Sequence, residues 1–540
     1  VVLKGKLKII FFFVFCFLCL SLIILFPGTS ADDLRKKHDD DLKQTLSKYK
    51  DDGGEEWKKF KDKPITISFW HNLEGTHLKD LQDFLKEFKE EYKNITVKTE
   101  FKGGWGQLIK NINVALPGNT EPHLIFSYPD YLINFYESGK LVPLNGFINH
   151  QNKEIQLEKS SDELSSNYFY PVFEDESQIK LGQEDKKWYS LPFFKTIELM
   201  FYNQTYFKKL QEKVKNNSDL KEKVAACFDQ NEEGKLKNDI TWEDLENLCS
   251  VIKSMDKNKI PIAYESESNL FIVASEQKGI PYAVDRNSDA SNYGVKFNNL
   301  ASQNMVKAFK ERFYDQKYLT TKQLSGEIYP LTRFINQDFL MNISSSKAFE
   351  YLNKVDFEIG VTSCPYWKDG SKKALQQGAN INLFYKQDKD EVLASWLLLK
   401  HLTSDKINKK LFDKKGSFPT RPSYVKNYLD TNKSKIASLK EDIKKSQENL
   451  NKPENDATQK RIINHKLLKE KLLLFILEEK QKEKKEQKSI YFFSPVFQKS
   501  YIARLVVEDL LIDCFLLPPN EKIDAKIQTL FNAAQKKALS

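Results

Sequence analysis

Hydrophobic positions beyond residue 63 follow two rhythms. Ile65-Thr-Ile-Ser-Phe-Trp70 is β-branched and alternating, which predicts a first strand starting after Pro64. Leu78, Leu81, Leu85 and Phe88 recur every three or four positions and predict a helix over Leu78–Tyr92 with one apolar face. Ile95–Phe101 reads as a second strand, Leu108–Leu116 as a helix and Pro122–Tyr128 as a third strand. Strands alternating with helices at this spacing predict an α/β chain with a parallel sheet and crossover helices. Further on, Trp188–Phe194 and Glu198–Asn203 look extended. Thr241 caps a helix opening at Trp242, Lys259–Tyr264 is another strand, and Glu391–Leu402 is a strong helix.

Two stretches break this texture. Lys4, Lys6 and Lys8 precede the apolar run Ile9–Phe26, in which only Ser21 is polar; Pro27-Gly28 and the small residues Thr29-Ser30-Ala31 follow. That is the layout of a secretory signal, residues 1–31. The same run would reach ~27 Å as a helix, enough for an uncleaved anchor. Cys16 and Cys19 lie inside it, which argues against lipidation at either. Residues 32–63 are charged, with Leu34, Leu42 and Leu46 at helical spacing, and read as a spacer or short helix, or as a disordered tail. The second stretch, 433–488, is dominated by Lys, Glu, Gln and Asn. Ile436, Leu439, Ile443 and Leu450 mark one helix, Pro453 a turn, and Ile463, Leu467, Leu474 and Leu477 a second. The reading is an α-helical hairpin, either a partner surface or a solvated insertion held by its own seam.

About 510 residues follow the N-terminal run, which suggests two or three units rather than one core. Cys227, Cys249, Cys364 and Cys514 show no CxxC spacing, so no zinc site is expected. Cys227 and Cys249 are either a pair or two buried thiols. The net charge of +9 comes from lysines that alternate with acids along the whole chain, which is no nucleic-acid signature. The seven histidines include no HExxH, and GxSxG, GxxxxGK and GxGxxG are absent. His71, Glu74 and His77 form the tightest cluster of potential metal ligands. No cofactor or metal is expected. Aromatic residues do gather at the ends of predicted strands: Trp70, Trp105, Tyr128, Phe193, Phe194, Tyr264 and Phe384. Ligands of open α/β sheets sit beyond the carboxyl ends of the strands, and an aromatic face suits a sugar ring.

The segments Phe69-Trp-His-Asn-Leu-Glu-Gly75, Lys102-Gly-Gly-Trp-Gly-Gln107, Pro122-His-Leu-Ile, Leu191-Pro-Phe, Leu199-Met-Phe-Tyr-Asn203, Thr241-Trp-Glu-Asp-Leu, Ala394–Leu402 and Gly416-Ser-Phe-Pro-Thr420, in this order, resemble the extracellular solute-binding proteins (family 1) of carbohydrate ABC importers. The likeness covers residues ~64–430 and ~489–540, and is nearest to the glycerol-3-phosphate- and sugar-binding members. It implies a two-lobed, type II periplasmic-binding-protein fold interrupted by the hairpin. Lobe 1 is expected at 64–193 and 335–385, and lobe 2 at 194–334 and 386–540. It also implies a small ligand in the interlobe cleft, delivery to an ABC permease, no catalysis, an exported monomer and no nucleic-acid partner. Carried over residue by residue, the ligand would meet Trp105, Asp130, Ser345 or Ser346, Gly378 and Asn380; Trp70, His71, Glu74 and Tyr128, at or just after strand ends, complete the candidate set. Arg504 would hold an anionic head group, or pair with Glu508. Where those relatives have paired tryptophans this chain has Tyr264-Glu-Ser-Glu-Ser-Asn-Leu270, with two acids standing in the place of the aromatic pair. The alternatives from other classes are a surface interaction protein built around the hairpin, a peptide binder and a glycosidase with two carboxyls ~5–9.5 Å apart.

Overall fold

The computed structural model describes residues 30–159, 168–180, 186–284, 294–327, 329–415, 417–423, 433–486, 489–519 and 522–540. The apolar run Ile9–Phe26 and Gly416 lie outside them. Among the described residues no helix is long and apolar enough to cross a membrane.

The charged stretch after Ser30 is neither a free spacer nor a tail. It forms α1 (Ala31–Leu46) and α2 (Glu55–Asp62), whose Leu42, Leu46, Trp57 and Phe60, with Tyr49 between them, are buried in the main core. Polar ties complete the docking. Tyr49 donates its hydroxyl to Asp390 at 2.6 Å and Arg35 donates to the Tyr136 carbonyl at 2.6 Å. The sequence signal for this docking is the aromatic set Tyr49, Trp57 and Phe60 among the charges.

The predicted alternation then follows: β1 (Ile65–His71), α3 (Gly75–Glu91), β2 (Ile95–Phe101), α4 (Trp105–Ala115) and β3 (Leu124–Ser127). β1 pairs in parallel with β2 on one side and β3 on the other. The two extended segments expected at 188–203 are one strand, β4 (Ser190–Asn203), 14 residues long. The second unit contributes α5 (Trp242–Met255), β5 (Ile262–Tyr264), α6 (Glu267–Gln277), β6 (Leu319–Thr321), β7 (Met341–Ser345) and β8 (Ile359–Ser363). The chain returns through β9 (Ala374–Leu383) and α7 (Lys389–Leu402), makes the hairpin α8 (Lys433–Leu450) and α9 (Ala457–Glu486), and ends with α10 (Ser500–Leu516) and α11 (Ile523–Leu539). α5 is opened by a capping box in which Thr241 and Asp244 each bond the other's backbone N–H.

One sheet joins both lobes, in the order β6-β5-β7-β4-β9-β3-β1-β2. The first half of β4 runs antiparallel to β9, from Ser190 opposite Asn382 to Ile197 opposite Gln376. Its second half lies between β7 and β8, with Glu198 opposite Ser345 and Leu199 opposite Ser363. The ladder slips between Ala379 and Asn380, where Phe194 and Pro192 are the partners and Phe193 is the extra residue. Pro192 has no N–H to give, and a bulge is where a strand tolerates that. β7 and β8 therefore belong to the second lobe's sheet, although 335–385 was expected in the first. Conversely α7, expected in lobe 2, packs on β1, with Trp396 stacked on Phe147 at 4.9 Å. Apolar periodicity predicts such elements but not which strand they pair with or pack on.

The hairpin exists, and its seam holds Ile443, Leu450 and Leu467. It is not a solvated insertion, because α9 also buries Leu468, Leu472, Phe475, Ile476 and Leu477 in the main core. Near its end, the Lys480 ammonium lies 3.8 Å from the Tyr170 ring centroid, with Phe418 and Tyr491 also around it. Cys227 and Cys249 are both free and buried, so the two-thiol reading holds.

Candidate functional site

The loop beyond β3, the start of α4, the helices α6 and α10 and the strand β9 meet where the two halves of the sheet join. Trp105 is the first residue of α4, placed after the extended Gly104. Its half-buried ring lies 4.4 Å from that of Tyr128, which follows β3. Burial pushes the Tyr128 hydroxyl up to about 12. Two residues on, Asp130 faces Arg504 of α10, with Oδ2 and Nε 3.7 Å apart and both side chains 14% exposed. Burial raises the Asp130 carboxyl above its ordinary range. Arg504 therefore pairs with Asp130 and not with Glu508, whose carboxylate instead accepts from Gln323 at 2.6 Å.

Several residues of this cluster were not foreseen from the sequence. Arg504 donates from Nη2 to Asn269 Oδ1 at 2.5 Å. The Asn269 amide nitrogen donates in turn to Glu198 Oε1 at 3.1 Å and Gln377 Oε1 at 2.9 Å. Glu198 also accepts from the Tyr264 hydroxyl at 2.6 Å, and burial pushes its carboxyl up to about 7. Glu265 accepts from the Ser345 backbone N–H at 3.2 Å, which places Ser345 beside an acid. Of the two acids in Tyr264–Leu270, Glu267 is buried and accepts from the Gln323 backbone N–H at 2.7 Å; Glu265 is the one left beside the site.

The remaining candidates lie elsewhere or in supporting roles. Trp70 is almost buried under Lys102, whose ammonium is 4.2 Å from its ring centroid. His71 is buried, accepts from the Leu73 N–H through Nδ1 and has its basicity lowered by burial. Glu74 is exposed and precedes α3 without capping it. His77 Nε2 lies 3.0 Å from Glu350. The cluster of His71, Glu74 and His77 thus splits three ways, and the described residues hold no group of metal-ligating side chains. Ser346 is buried, with Oγ accepting from the Ile197 N–H at 3.4 Å. Asn380 is also buried and donates to Ser177 and Ser190 at 3.2 and 3.0 Å. Gly378 takes φ +116°, and a Cβ there would fall 2.1 Å from the Phe194 carbonyl oxygen. Its own carbonyl accepts from the Lys195 ammonium at 2.9 Å. Lys195 also pairs with Glu176 in full burial, where burial lowers the lysine and pushes the glutamate up to about 6. Ser346, Gly378 and Asn380 support the strands that carry the site. Trp105, Tyr128, Asp130, Ser345 and Arg504 fall in or beside the cluster itself.

Two lobes sharing a crossover strand, with a mixed aromatic and charged cluster between them, define a solute-binding protein of the two-lobed extracytoplasmic type. Residues 83–439 match the family described as bacterial extracellular solute-binding protein, and the chain belongs to that family. Among its relatives is the periplasmic sn-glycerol-3-phosphate-binding protein UgpB of Shigella flexneri, 24% identical over 371 residues, 66% of this chain and 75% of that one. The same protein of Escherichia coli strain K12 is 22% identical over 370 residues, with the same shares covered. Solved structures of the same fold include UgpB from Mycobacterium tuberculosis with glycerophosphocholine (TM-score 0.57, 11% identity, covering 88% of this chain and 99% of that one). The cyclic α-maltosyl-1,6-maltose binding protein of Arthrobacter globiformis is another (TM-score 0.55, 14% identity, 88% and 98%).

Proposed function

We propose that this chain is the extracytoplasmic receptor of an ABC importer. It captures a sugar or glycerol-phosphate-type solute between its lobes and presents it to a membrane permease, with no chemistry done on the solute. The observation that carries this reading is the meeting of groups from both lobes at one place. Trp105 and Tyr128 offer aromatic faces, and Asp130, Arg504, Asn269 and Gln377 offer donors and acceptors around them. Aromatic walls with a few convergent polar groups are what a small polar ligand needs. Binding at such a junction favours the closed arrangement of the lobes, because only that arrangement lets both lobes touch the ligand. The family and its named relatives, all binding proteins, support the same reading.

A thermal-shift screen of sugars, polyols, glycerol phosphates and short peptides tests it. At least one sugar or glycerol phosphate should raise the melting temperature, since a ligand that binds only the folded state stabilises it by mass action. A screen in which only peptides act would move the ligand to another class.

A further inference from the structure

Arg504 is the guanidinium that would attract an anionic ligand, yet an acid already faces it. Ser500 and Arg504 stand one turn apart on α10, and both meet Asp130. The Ser500 hydroxyl donates to the Asp130 carbonyl at 2.8 Å, and the Arg504 guanidinium faces the Asp130 carboxylate at 3.7 Å. From behind, Asn269 accepts from the guanidinium. The same amide turns its NH2 group to Glu198 and Gln377, and its oxygen also lies 3.3 Å from Gln377 Nε2. The guanidinium is thus flanked on two sides before any ligand arrives.

The charge balance points the same way. The groups facing the cluster are Asp130, Arg504 and Glu265, with Glu198 behind them. Lys195 pairs with Glu176 and also acts on Asp130, and Lys322 and Lys347 act on Glu265. An arriving phosphate would have to displace Asp130 from Arg504 and set its own charge beside that carboxylate, 14% exposed, and a second acid. A neutral hydroxyl has no such obstacle, since it can accept from a guanidinium N–H and donate to the carboxylate together.

We infer that Asp130 is the specificity-determining residue of the site. By occupying Arg504 it selects uncharged, polyhydroxylated ligands and rejects anions. This rests on the binding site proposed above and narrows its ligand to the sugar class. The test is calorimetric titration of wild type, Asp130→Asn and Asp130→Ser with maltose, trehalose, glycerol, sn-glycerol 3-phosphate and inorganic phosphate. Melting temperatures of the ligand-free proteins confirm that each variant folds. Wild type should bind a neutral sugar at least a hundredfold more tightly than either phosphate. Both variants should gain tenfold or more for sn-glycerol 3-phosphate and lose affinity for the sugar. Wild type preferring sn-glycerol 3-phosphate, or folded variants that gain nothing toward it, would overturn the role of Asp130 while leaving a solute-binding protein. Silence from all three proteins toward every compound would instead sink the site itself.

Discussion

Trp105 holds its position by ring contact with Tyr128 and by the helix it begins. Its Ala variant removes a stacking face worth ~1–3 kcal/mol by analogy with base stacking. Ligand affinity should fall more than tenfold with the melting temperature of the free protein little changed, as titration and a thermal melt would show. An unchanged dissociation constant would take Trp105 out of the site. Glu198 makes a prediction of the opposite kind, on stability. Burial lifts its carboxyl from the ordinary 4.5 to about 7, so the folded chain keeps a proton that the unfolded chain has released. The stabilisation is complete below pH 4.5 and is lost as pH rises through about 7, by up to about 3 kcal/mol. Glu198→Gln should therefore flatten the decline in stability between pH 5 and pH 8, measured by urea unfolding. A variant with the wild-type slope would show that the carboxyl is ionised throughout. The sequence made Trp105, Tyr128, Asp130 and Arg504 visible through their place after strands and their likeness to known binders. It hid Glu198, Asn269 and Gln377, whose hydrogen bonds join positions 71, 108 and 235 residues apart. Their neighbours in the chain say nothing of those partners.

Among the elements, α9 departs most from its pattern. The spacing of Ile463, Leu467, Leu474 and Leu477 announces a seam with α8, which the first three make. The unbroken run Leu472-Leu-Leu-Phe-Ile-Leu477 was the further signal, because a helix apolar on more than one face is buried on more than one face. Five of those six side chains, with Leu468 before them, fill the main core, and Lys471 reaches Gln204 and Glu358, each at 2.7 Å. Excising 433–488 should thus cost the protein its fold rather than a surface feature, seen as a melting temperature lowered by many degrees or as aggregation. An excised chain that melts with wild type would restore the solvated-insertion reading. The βαβ elements were the legible part of the fold, since β1, α3, β2, α4 and β3 each carry a complete period within their own length. Short strands such as β5 and β6, three residues each, carry too little pattern to fix their neighbours.

At the scale of the whole molecule, β4 is one strand with two sets of neighbours: β9 along its first half and β7 with β8 along its second. Two-lobed chains invite the expectation of two melting events, one for each lobe. Here neither lobe can lose its sheet without stripping hydrogen bonds from a strand that the other lobe depends on. Scanning calorimetry should show a single endotherm whose van't Hoff and calorimetric enthalpies agree, which is the mark of an all-or-none transition; two resolved peaks would contradict it. The same bond sharing bears on survival among proteases. If neither lobe opens alone, no half-unfolded intermediate offers its backbone to proteases, and resistance to digestion follows the stability of the entire chain.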